Sequence, residues 1–345
     1  MLWLKTLCLG KDVIQNGPYR LAANFGDLFR WSYEFTDKYG KNSWNLDERI
    51  LMIQSTGNNT ANYSATRSLM QYPEGAIVPA GTTTAQQGEV RPNRFFFSKW
   101  CELTDGEKAL LGTSTDSIYV NTPDPRMSYS LFHTKFIQCS DSTNVKIYPT
   151  EANNSSTNKL RSMPYYKKYL SPTYAGVPDK ADLYLLRLAE IYYVAAEAAI
   201  RLNKSSEAYS FVEAVHSRAR LSDPSGIESS SPKWAEGKFA NADDFVTALI
   251  WDKLFELCGE GHEFYETRRL GARWFCENIV IPANEFLKLE YQEGSYIEQY
   301  YRAGFQFPTD IQKLRGSLLC EFPVEELSLN TSLSLKDRND YSWMK

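Results

Sequence analysis

Histidine is scarce in this chain and cysteine is unpatterned. The 345 residues include three histidines and six cysteines. Cys8, Cys101, Cys139, Cys258, Cys276 and Cys320 are scattered with no C-x-x-C pair, which argues against both a zinc site and a disulfide framework. His133 and His216 lie far apart with no ligand pattern. His262-Glu263 brushes against metalloprotease spacing, but Glu266 stands where a second histidine would be needed. No G-x-x-x-x-G-K-[ST] phosphate cradle occurs, so neither cofactor nor metal is expected. Net charge is −4, and no basic run interleaves with aromatics, which excludes nucleic acid as the expected partner. Residues 183–202 come nearest to the roughly 20 apolar residues of a membrane span, but Arg187, Glu190, Glu197 and Arg201 interrupt them. The apolar stretch after Met1 is too short for an export signal. Taken alone, that would put the chain in the cytoplasm.

What the chain does have is apolar and aromatic residues in quantity, 43% and 14% of the total. They suffice for a large core and for one to three domains. The organising stretch runs from Asp182 to Asn203. On a helical wheel its four charges fall in one stripe about 80° wide, and the rest is apolar or small. A helix apolar around most of its circumference must be covered from two sides, and Ala189, Ala195, Ala196, Ala198 and Ala199 let neighbouring backbones come close. Within the stripe, Arg187 with Glu190 and Glu197 with Arg201 have ion-pair spacing. The next helix begins near Ser205 or Ser206, either of which can cap it. Its Ala208, Phe211, Val212, Val215 and Ala219 follow the rhythm of a single buried face. The two form an antiparallel hairpin like a tetratricopeptide unit, which needs neighbours to bury its faces.

Residues 2–15 read as a helix with Leu2, Leu4, Leu7, Leu9 and Val13 as its apolar set, stopped at Asn16-Gly17-Pro18. Tyr19 to Phe29 suggests a bend and a short helix, and Leu51 opens a short strand. From about Thr56 to Thr122 the residues turn to Asn, Thr, Gly, Gln and Pro, with Tyr63, Tyr72 and Trp100 among them. A long aperiodic stretch rich in aromatics suggests functional loops rather than a linker. A second such stretch covers 139–178. Asn241 caps a strong helix running towards Cys258, and helical character continues from Glu260 to Gly271, placed as a C-cap. The tail from Leu318 reads as an extended segment, a proline turn and a short helix.

Five separated motifs resemble one family: Asp124-Pro125-Arg126, the run from Leu186 to Ala198, His216 to Leu221, Glu256 to Gly271, and Phe322 to Asn330. In this order and spacing they are similar to the SusD/RagB family of outer-membrane nutrient-binding lipoproteins of Bacteroidetes. The resemblance spans essentially the whole chain. It implies a mainly α fold of tetratricopeptide-like helical hairpins, with long irregular loops and a few short strands. It implies one domain over residues 1–345, with a helical body at 1–50 and 181–275, a ligand-facing region at about 56–178 and a C-terminal segment at 276–345. It also implies a cell-surface lipoprotein that hands glycans, or in some members peptides, to a TonB-dependent SusC-like transporter. The family's signal peptide, lipid-bearing cysteine and earlier helical hairpin are not found here. The chain therefore resembles the C-terminal majority of a longer precursor, or a gene model started late, and membrane attachment would come only through an anchor missing from it. Where the family has Arg after Gly-His and then Asp, this chain has Glu263 and Glu266, and Asp252-Lys253 stands for the usual Glu-Arg.

Sugar rings stack their C–H faces on exposed aromatics while neighbouring amides and charges bond the hydroxyls. Trp44, Tyr63, Tyr72 and Trp100, with Asn62 and Arg91 beside them, are the ligand candidates on that ground. Trp31 and Trp251 are assigned to core. The charged stripe at Arg187, Glu190 and Glu197 reads as a structural ion-pair network rather than a catalytic set. A glycosidase would need two carboxylates across a cleft, drawn from Asp105, Asp116, Asp124 or the Glu-rich helices, and no such pair is recognisable. A scaffold that binds only proteins would have short loops, unlike residues 56–122.

Overall fold

The computed structural model describes residues 2–29, 47–53, 92, 94–105, 122–132, 135–137, 145–147, 165–168, 183–289, 308–311, 313–314 and 318. The chain forms two compact units, Met1–Gly261 and His262–Lys345. The described residues are mainly α-helical, with short strands at the margins.

In the first unit α1 (Leu2–Asn16) is followed by a 3₁₀ turn (Phe25–Phe29), β1 (Arg49–Ile53), α2 (Arg94–Leu103) and α3 (Pro125–Ser130). Short strands β2 (Leu131–Phe132), β3 (Lys135–Ile137), β4 (Val145–Ile147), β5 (Tyr165–Tyr166) and β6 (Leu183–Arg187) come next. The unit then continues through α4 (Leu188–Arg201), α5 (Ser205–Leu221) and α6 (Ala242–Glu256). The strands pair antiparallel in three two-stranded ribbons, β1 with β6, β2 with β5 and β3 with β4.

Helix α4 is the centre, packed on by α1, α5 and α6. Ala189, Ala195, Ala196, Ala198 and Ala199 are all fully buried. A Cβ placed on Gly10 of α1 would lie 3.2 Å from that of Ala195, so these small residues bring the two helices together as their pattern demands. The helical hairpin of α4 and α5 is as expected, but its start differs. Residues 183–187 form strand β6, because Arg187, Leu186, Tyr184 and Leu183 pair with Arg49, Leu51, Met52 and Ile53. A short apolar run carries no period of its own, and a partner strand decides it. Nor does serine cap α5. It begins at Ser205 after Lys204 with no side-chain cap, and Asn203 takes the left-handed turn at φ +58°. The cap on α6 is as expected, with Asn241 accepting from the Asp244 amide at 2.9 Å.

Helix α1 also forms, yet its apolar set is divided. Leu7 is buried, whereas Leu2, Leu4 and Leu9 are 73%, 52% and 57% exposed. Behind the 3₁₀ turn, Ala22, Phe25, Leu28, Phe29 and Tyr184 make a small core.

The second unit has α7 (Glu263–Glu266), α8 (Gly271–Phe275), a π-helical turn (Cys276–Val280) and α9 (Ile281–Leu289). Ala272, Phe275, Cys276, Val280, Leu314 and Leu318 form its core. The Arg268 guanidinium lies over the rings of Phe264 and Phe275, at 4.1 and 4.6 Å. Gly271, expected to close a helix, has φ +90° and opens the next one. Among the described residues no helix is long and apolar enough to cross a membrane.

Candidate functional site

Asp252, Glu256 and Glu260 are four residues apart, and they gather the buried charges of the first unit. Asp252 and Glu256 project from the last turns of α6. Glu260 follows on a turn whose flanking residues, Gly259 and Gly261, have φ +76° and +87°, a left-handed conformation that glycine adopts without steric cost. At Gly259 a Cβ would come within 2.8 Å of the Tyr166 ring. Glycine thus lets β5 approach closely enough for Lys168 to reach Glu260.

Four of the five sequence motifs meet here. From the first, Arg126 donates to Asp124 at 2.8 Å and to Asp252 at 2.7 Å, while Asp124 caps α3 through the Arg126 amide. From the second, Arg187 donates to Glu48 at 2.6 Å, Glu256 at 2.9 Å and Glu260 at 2.7 Å. Tyr193 of α4 donates to Asp252 at 2.6 Å. From the third, His216 lies 2.7 Å from Asp252, and Arg218 donates to Glu48 at 2.9 Å and also to Glu256. Lys168 completes the set with bonds to Glu260 at 2.7 Å and the Glu256 carbonyl at 2.8 Å. Its ammonium sits 4.7 Å from the Phe29 ring centre, and Arg218 sits 5.1 Å from that of Phe25.

All of these side chains are buried. Burial alone would push the three acids up. The cations beside them outweigh it: Arg126 and His216 hold Asp252 well below the ordinary carboxylate range. Arg218, Arg187 and Arg126 hold Glu256 down at about 2, and Arg187 and Lys168 lower Glu260. Burial lowers Lys168, against the pull of Glu260. Groups buried this far from solvent, with their charges answered by one another, do not meet a substrate. The arrangement is a brace that ties β1, α3, the turn at Lys168, β6, α5 and α6 together. Three members of the charged stripe, Arg187, Glu190 and Arg201, are thus in structural ion pairs, with partners across the fold rather than along the helix. Arg187 precedes α4, Glu190 pairs with Lys253 at 2.9 Å, and Arg201 pairs with Asp243 at 2.5 Å.

Of the ligand candidates, Trp100 requires correction. It is fully buried, stacked flat on Phe255 with ring centres 4.8 Å apart, and its indole N–H donates to Asp124 at 2.8 Å. No face of the ring is left for a ligand. The polar residues around it in sequence suggested exposure, but α2 turns Trp100 inward against α6. Trp251 is core, as expected. Trp44, Asn62, Tyr63, Tyr72 and Arg91 lie outside the described residues, as do Trp31 and the motif from Phe322. Asp124, one of the acids a glycosidase might use, is consumed by Arg126 and Trp100. Sequence reasoning missed Glu48 and Lys168, which carry no spacing signal. The four-residue spacing of Asp252, Glu256 and Glu260 was there to be read.

Comparison with known proteins agrees with this architecture. A model of the SusD family matches residues 112–336. A SusD homologue from Bacteroides thetaiotaomicron superposes with a TM-score of 0.61 at 15% identity, over 96% of this chain and 58% of its own. Surface glycan-binding protein A from Bacteroides uniformis superposes at 0.53 and 16% identity, over 98% of this chain and 57% of its own. A SusD superfamily protein from Parabacteroides distasonis gives 0.51 at 15% identity, over 96% and 56%. At such identities the likeness is one of fold. The chain spans under three fifths of the length of these solved relatives. No curated protein matches it.

Proposed function

The chain belongs to the SusD family, and from that premise we propose that it binds a glycan at the cell surface without catalysis. In this reading it delivers the glycan to a TonB-dependent, SusC-like outer-membrane transporter, and a lipid anchor outside these residues holds it to the membrane. The family match over residues 112–336 carries the reading. The fold shared with a protein described as glycan-binding supports it. Trp44, Tyr63 and Tyr72 supply the stacking faces, and Asn62 and Arg91 the hydrogen bonds to ring hydroxyls.

Affinity electrophoresis through gels containing a panel of polysaccharides, combined with a reducing-sugar assay, tests this. The expected result is slower migration in at least one polysaccharide with no sugar released. Release of sugar would overturn the non-catalytic reading, and unchanged migration across the panel would overturn glycan binding. Trp44→Ala should abolish the retardation while leaving the fold intact.

A further inference from the structure

Residues 222–241 join α5 to α6 without regular structure, and this is longer than most connections between helices. Both ends are fixed. The Ser222 hydroxyl accepts from the Phe25 amide and its carbonyl accepts from Tyr129, each at 2.8 Å. At the other end the Phe239 amide donates to Tyr209 at 3.3 Å, and the Phe239 ring lies 5.7 Å from that of Phe245. Just inside these ends stand Gly226 and Gly237, with φ +77° and +81° and nothing within 4 Å of where a Cβ would lie. Glycine turns readily through such conformations.

The segment between the glycines is held by a latch and a wedge. Arg220, at the end of α5 and 5% exposed, donates to Glu228 at 3.0 Å and to the Pro232 carbonyl at 2.8 Å, and is steadied by Glu213 at 2.6 Å. Ser229 donates its amide to the Arg220 carbonyl at 3.1 Å and its hydroxyl to the Pro123 carbonyl. At the surface Glu236 accepts from Ser206 at 2.6 Å. The wedge is Trp234, packed edge-to-face with His216 at 5.1 Å between ring centres. His216 is fully buried and bonded through Nε2 to Asp252, while its Nδ1 has no hydrogen-bond partner among the described residues. A buried polar atom without a partner carries a desolvation cost that contact with water removes.

We infer that residues 227–236 are a strap that swings on Gly226 and Gly237 while α5 and α6 stay folded, uncovering His216 at the edge of the buried brace. Arg220 sets how often it opens. The one backbone bond from the strap to a helix is that of Ser229, so opening breaks side-chain contacts and leaves the helical ladders whole. The strap's partners lie between Pro123 and Phe245. The inference therefore depends on neither end of the chain, and it is independent of the ligand.

Diethyl pyrocarbonate labelling of the 345-residue chain, read at His216 by mass spectrometry beside amide hydrogen exchange, tests it. Both report the open population when reclosing is fast. His216 should label at a rate that barely changes in low urea, since local opening exposes little surface, while the amides of α6 remain protected. Arg220→Met should raise that rate about tenfold through loss of its charge-assisted bonds. Glu228→Gln, at a half-exposed position, should raise it about threefold. Labelling that climbs steeply with urea in step with α6 exchange overturns the inference, because His216 is then reached only by unfolding. So does an Arg220→Met chain whose His216 labels no faster. Should Arg220→Met also strip protection from α6, Glu228→Gln decides, and unchanged labelling in it overturns the strap.

Discussion

Helix α6 presents two kinds of surface, and they hold the first unit by different physics. On one, Trp251 and Phe255 meet Phe95, Phe96 and Trp100 from α2, with ring centres 4.8 to 6.3 Å apart. On the other, Asp252 and Glu256 meet Arg126, Arg187 and Arg218. Aromatic packing is graded: its contribution follows area and volume, so a smaller ring loses part of it. The charged surface is closer to all-or-none. Each ion has given up its hydration, and removing one partner strands the others in a low-dielectric interior. The first surface therefore supplies cohesion. The second fixes which segments of an irregular chain may meet, since only the correct set of partners cancels the charge.

The contrast predicts a hierarchy of losses. The largest belongs to Arg187→Met, which keeps volume but takes from Glu48, Glu256 and Glu260 the one cation that all three share. It should cost about 5 kcal/mol in urea unfolding followed by far-UV circular dichroism, and a loss under about 1 kcal/mol would show that the brace relaxes easily. Next comes Trp100→Ala, at about 4 kcal/mol, with Trp100→Phe losing clearly less if packing there is graded. Equal losses from both would mean that the bond to Asp124, rather than the ring, holds α2 in place.

Acid separates the two surfaces further. Glu256 is ordinarily near 4.5 and is held at about 2 in the fold. Its contribution is complete above the unfolded value and is lost as pH falls through the folded one. The difference corresponds to about 3 kcal/mol. Stability should fall progressively as the pH drops from about 4.5 to 2. A Glu256→Gln variant should show a shallower fall, whereas Trp100→Phe should keep the full slope. Identical slopes in all three proteins would remove Glu256 from the acid response.

Much of this was legible in the residues. The alanines of α4 required close neighbours on more than one side, and α1, α5 and α6 are there. Asn241 announced the start of α6, and the five-motif resemblance led to the family. Less legible were features that depend on distant pairing. Nothing local distinguishes the run from Leu183 to Arg187 from the first turn of α4, because only strand β1 makes it extended. Trp100 was misplaced for a related reason. Polar sequence neighbours describe the average solvation of a segment, whereas the side a helix turns inward is set by what it packs upon.

Sequence alone determined the helical hairpin, the mixed burial of α4 and the identity of the charges, because periodicity and composition act over a few turns. Tertiary structure decided which charge answers which. Arg187 passes over Glu190, its neighbour in sequence, for Glu48, Glu256 and Glu260, since a buried cation requires partners that lose their water in the same place. Such desolvation is a property of the closed interior and is not encoded in any one stretch of chain.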